Sequence, residues 1–156
     1  MNSVTFVITK EKVYRQILAT SAHTTRAREA IGLPQEITER MLLTADDKHI
    51  IDPLIDNSIN EVYAEIICYH PDCSVNFTRN GEGDGCYVFN MNVPSNYPTD
   101  DINQLEERVE SYIVNSTLQN WYSNVKPDEA SIIATKRQND VAIIQILLTR
   151  RTKPSN

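Results

Sequence analysis

The chain has 156 residues, 40% of them hydrophobic and 23% charged, and a net charge of −6 at pH 7. That length suits one domain able to bury roughly two thirds of the surface its unfolded form exposes. The composition excludes low-complexity and fibrous classes, and no apolar run approaches the ~20 residues that span a bilayer. The charge is split by region. Residues 136–156 hold five basic side chains against Asp140, a local +4, and this leaves −10 on residues 1–135. An acidic body repels phosphate backbones, so free nucleic acid is an unsuitable main partner, whereas a basic end suits an acidic protein surface.

In chain order, "VTFVITK" (4–10) is a short β-branched strand, after which Thr9 caps a helix running towards Ala30 with Val13, Ile17, Leu18 and Ala22 as its stripe. Gly32 and Pro34 stop it. The next start signal is "TADD", with Thr44 as cap and Asp47 in the capping-box position. A long helix follows, striped by Ile50, Ile51, Leu54, Ile55, Ile59, Val62, Tyr63, Ile66 and Ile67, with an expected kink at Pro53.

"SVNFTR" (74–79) and "CYVFNMNV" (86–93) alternate with period two around "NGEGDG" and predict a hairpin. Thr99 then caps a helix with Ile102, Leu105, Val109, Tyr112 and Ile113 on its buried side. "ASIIATKR", the turn "QND" and "VAIIQILLTRR" read as two closing strands, the last apolar on both faces. The expected fold is therefore α+β, a mainly antiparallel twisted sheet with three main helices in the order β-α-α-β-β-α-β-β. Residues 1–149 form the domain and residues 150–156 a basic tail.

The residues that look most like chemistry are in "CYHPDC" (68–73). Cys68, His70, Cys73 and Cys86 could supply four zinc ligands, but Cys68 completes a helix, Pro71 follows His70, and no glycine knuckle is nearby. Small buried thiols are the expected outcome, with no metal and no cofactor. "NGEGDG" imitates a calcium loop through Asn80, Glu82 and Asp84, yet its twelfth position is Met91 instead of a bidentate glutamate. His23, His49 and His70 form no nucleophile-base pattern, so the chain is expected not to be an enzyme. An odd cysteine count and a start, "MNSVTFVITKEK", without a secretory pattern predict free thiols in a reducing cytoplasm.

The opening strand and helix, "LLTADDKHIIDPLIDNSINEVYAEI", "CYVFNMNV", "TDDINQLEERVESYIVNSTLQNWY" and "AIIQILLTRRTKP", taken together, resemble small neck proteins of tailed bacteriophages. They are similar in particular to structural proteins of phages and prophages of Bacteroides-type bacteria. The resemblance implies a virion protein, made in the host bacterial cytoplasm, that forms a homo-oligomeric ring between portal and tail. It also implies portal and other neck or tail proteins as partners, genomic DNA passing through without specific binding, and no membrane. Arg150, Arg151 and Lys153 are the expected partner-docking residues. A tail terminator or minor tail-ring subunit, or a small metal-binding regulatory protein on the Cys-His cluster, are the alternatives.

Overall fold

The computed structural model describes residues 1–79 and 84–153. Strand β1 (Asn2–Thr9) leads directly into helix α1 (Lys10–Ala30), and a short helix α2 (Gln35–Met41) follows. Helix α1 ends at Gly32, whose φ of 92° only glycine adopts cheaply. Thr44 then opens a single 3-10 turn (Ala45–Asp47), its N–H donating to the Asp47 carboxylate at 2.8 Å. The capping-box residues therefore act as expected, one turn ahead of helix α3 (Lys48–Tyr69). Helix α3 runs on through Pro53 as one helix.

The hairpin strands are β2 (Ser74–Thr78) and β3 (Cys86–Val93), and β3 lies in the middle of an antiparallel sheet of order β1-β3-β2. Residues 80–83 of the expected hairpin turn lie outside the described residues. Alternation decides which face is buried. Val4, Phe6 and Ile8 of β1, with Tyr87, Phe89, Met91 and Val93 of β3, turn inwards onto the helices, and Phe6 stacks on Phe89 across the ladder at 4.7 Å.

Helix α4 (Asp101–Val125) is the centre of the molecule, touching α1, α2, α3, α5 and β1. It starts two residues after the expected cap, with Ile102 N–H bonded to the Thr99 carbonyl at 3.2 Å. Leu105, Val109, Ile113, Leu118 and Tyr122 on it are fully buried. The α+β class, the antiparallel sheet and the order of the first elements stand as expected, with α2 added.

The closing pair of strands is corrected. Residues Pro127–Thr149 form one helix, α5, laid against α4. "KPDEA" places proline at its first turn with Asp128 and Glu129 at the positive end of the helix dipole, and no glycine or second proline interrupts the following 22 residues. Ala130, Ile133, Asp140, Ile144 and Leu147 recur at helical spacing and are buried. The supposed "QND" turn fails because Asp140 faces inwards. Its carboxylate accepts from Arg108 (3.2 Å), Ser111 (2.9 Å) and Asn115 (2.8 Å), all on α4.

Candidate functional site

The expected docking residues lie where α5 ends, and no glycine is available there to cap the helix. Its last carbonyls are orphans that need donors. Tertiary neighbours supply them: the Tyr97 hydroxyl donates to the Leu147 carbonyl at 2.8 Å, and His70 Nε2 lies 2.9 Å from the Leu148 carbonyl. Burial, with the Asp101 carboxylate nearby, pushes the Tyr97 phenol up to about 12, so it stays a donor through the neutral range.

The chain then folds back onto the turn before α4. Arg150 Nη1 is 3.2 Å from Asp101 Oδ2, a carboxylate buried at the first turn of α4. Thr152 donates to the Asn96 carbonyl through both its N–H (2.7 Å) and its hydroxyl (3.0 Å). The basic tail is thus pinned as far as Thr152. Arg150 is largely occupied by Asp101, whereas Arg151 and Lys153 are exposed and present their charge outwards. Residues 154–156 of the tail lie outside the described residues.

The cysteine-histidine cluster does not converge. Cys68 is exposed and its thiol donates to the Ala64 carbonyl of its own helix at 3.3 Å. His70 is buried with Nδ1 3.3 Å from the Asn92 carbonyl and Nε2 on Leu148, so both ring nitrogens face protein backbone. Burial, helped by Asp72, pushes the Cys73 thiol up to about 11, which disfavours the thiolate a metal would need. No group of three or more His, Cys, Asp or Glu is placed to hold a metal ion among the described residues. His70 is instead a fastener between β3 and the end of α5. A histidine before Pro-Asp carries no sequence sign of that role, because both partners are distant backbone atoms.

Sequence reasoning also missed two polar junctions. Glu61 Oε2 accepts from Arg137 Nη2 (2.6 Å), the Tyr112 hydroxyl (2.9 Å) and Ser116 (3.1 Å), joining α3, α4 and α5 beside an open cavity of about 230 Å³. Lys10, buried at the start of α1, lies 3.3 Å from Asp52 and 3.8 Å from Asp56 on α3, while Tyr87 donates to Asp56. Burial and that carboxylate raise the Tyr87 phenol well above its ordinary value. Each of these groups already has an internal partner. Their chemistry is that of joints between elements.

Two exposed isoleucines are on α5. Ile132 is 46% exposed and Ile146 is 58% exposed, and with half-buried Ile143 they share one side of the helix, on which exposed Lys136 and Asn139 also lie. The reading of residues 141–148 as a strand apolar on both faces is corrected: the segment is helical, with Ile144, Leu147 and Leu148 buried and Ile146 exposed. The helix ends beside Arg150, Arg151 and Lys153. No helix among the described residues is long and apolar enough to cross a membrane. Compared with family models, curated proteins and solved structures, the chain matches none of them.

Proposed function

We propose that this protein is a structural subunit of a tailed-phage neck, present in many copies as a ring between portal and tail, and not an enzyme. The observation that carries the reading is the pair of exposed isoleucines on α5, Ile132 and Ile146, on a helix that runs into a basic end, in a chain whose body is acidic. A ring needs a heterologous contact, one surface meeting a different surface on its neighbour. Isoleucines exposed along a helix are one half of such a contact, and Arg151 and Lys153 add a charge that an acidic neighbour complements. The junctions at Glu61, Asp140 and His70 keep the subunit rigid while it is clamped on both sides. An acidic lining would let DNA pass without adhering.

Light scattering of the wild-type chain, alone and mixed with portal and tail components, tests this directly. A mass several times the 17.8 kDa subunit supports it. The double variant Ile132→Glu with Ile146→Glu is expected to lose that mass while keeping its circular dichroism. Replacing Arg151 and Lys153 by alanine is expected to weaken capture by the adjoining component and leave self-assembly intact.

A further inference from the structure

The two edges of the sheet are protected unequally. On β1 the outer edge is covered by α4, and Glu106 Oε1 accepts the outward Val7 N–H at 2.9 Å. Among the described residues, nothing hydrogen-bonds to the outer edge of β2. Its sequence, "SVNFT", holds no lysine, glutamate or proline of the kind that blunts natural edge strands, and it exposes Phe77 to 43%.

The pairing pattern fixes which groups are bare. Asn92 N–H points to the β2 side of β3, where it donates to Asp72 at 2.8 Å, so even-numbered residues of β3 turn their backbone groups towards β2. Their partners Ser74, Asn76 and Thr78 therefore use their own groups in the ladder, and Val75 and Phe77 turn theirs outwards. Those groups have no backbone or side-chain hydrogen-bond partner among the described residues.

We infer that this edge pairs with the same edge of a second copy, antiparallel about a two-fold axis at Asn76, to make one continuous six-stranded sheet. Several features of β2 are self-complementary in that register. Val75 of each copy faces Phe77 of the other, so all four outward N–H and C=O groups exchange hydrogen bonds. The Val-Phe pairs lie on one face, over an open cavity of about 210 Å³ between α3 and the strand, lined by Asp56, Ile59, Asn60, Val75, Phe77 and Tyr87. Thr78 falls opposite Ser74, so Arg79, exposed at one end of the strand, comes beside the other copy's Asp72. The contact is isologous and does not depend on the ring reading. With a ring, it joins two rings face to face; without one, it makes a dimer.

Two variants of the full chain test it. Val75→Pro deletes an outward N–H that the β2–β3 ladder does not use, a position where an edge strand tolerates proline. It is expected to halve the particle mass measured by light scattering, from double ring to ring or from dimer to monomer, with circular dichroism unchanged. Asn76→Cys, with Cys68→Ser and Cys86→Ser to remove the other accessible thiols, places two thiols at a non-hydrogen-bonded pair about 4.5 Å apart between Cα atoms, within disulfide range. Mild oxidation is expected to give an interchain 76-to-76 disulfide by mass spectrometry. Unchanged mass in a folded Val75→Pro protein, or no interchain bond from Asn76→Cys, overturns the pairing. A ring that persists with its mass unaltered in Val75→Pro overturns this contact alone, whereas halving to a monomer upholds it and removes the ring.

Discussion

On α5, Ile144 is 1% exposed and Ile146, two residues later, is 58% exposed. Both are isoleucines in the same helix, so local propensity treats them alike. What separates them is direction. Ile144 points with Ile133, Asp140 and Leu147 into α4, where apolar burial is worth about 25 cal/mol per Å² and the Asp140 carboxylate has three donors. Ile146 points with Ile132 to the outside, where the described residues leave each about half exposed. The inner side thus holds the fold, and the outer side is available to something else. Substitutions on the two sides should therefore separate stability from assembly.

The largest effect is expected on the inner side. Ile144→Ala leaves a cavity beside α4 and should cost about 2–5 kcal/mol in chemical denaturation. Asp140→Ala strands the Ser111 and Asn115 donors and releases Arg108, with an expected loss of about 2 kcal/mol; Asp140→Asn, which keeps an acceptor, should recover part of it. His70→Ala removes the ring seated between the Leu148 and Asn92 carbonyls, of which Leu148 is the nearer at 2.9 Å, with an expected loss of about 1–3 kcal/mol and faster amide exchange at the end of α5.

Alkali sharpens the same contrast. Folded Cys73 and Tyr97 titrate above their ordinary values, so the native state holds protons that the unfolded chain has lost. Their stabilising effect is complete below pH 9 for the thiol and below pH 10 for the phenol. It then declines, by about 1.4 kcal/mol per pH unit for each group, until pH 11 and pH 12 respectively. Cys73→Ala should remove the lower part of that slope in pH-dependent urea melts. The smallest effect on stability is expected from Ile146→Glu, within about 0.5 kcal/mol of wild type, because the side chain is already in water.

Much of this fold is legible in the sequence, and the illegible parts have physical causes. The stripe of α3, the alternation of β3 and the Thr44-Asp47 cap each rest on neighbours in sequence, and each element forms as those neighbours dictate. Residues 130–149 fail that reading because isoleucine and valine satisfy both a two-residue and a helical period. The choice between them was made by Asp140 finding three donors on α4, a tertiary fact. The helix-start signal at Pro127-Asp128-Glu129 was the one local sign, and it is decisive only once the run is taken as a single 23-residue segment. At the candidate site, Arg151 and Lys153 are exposed as their sequence position suggests, but the capture of Arg150 by Asp101 joins residues 49 apart. The joints at Glu61 and His70 likewise depend on which helices meet.

The central claim is that the uncovered surfaces of this chain are contacts with further copies. The most direct measurement is the mass of the purified full chain by light scattering across a concentration series. The account predicts a discrete particle several times 17.8 kDa that falls apart in the Ile132→Glu and Ile146→Glu double variant without loss of helix. A folded wild-type chain that stays at 17.8 kDa at every concentration, with or without portal and tail components, would contradict it.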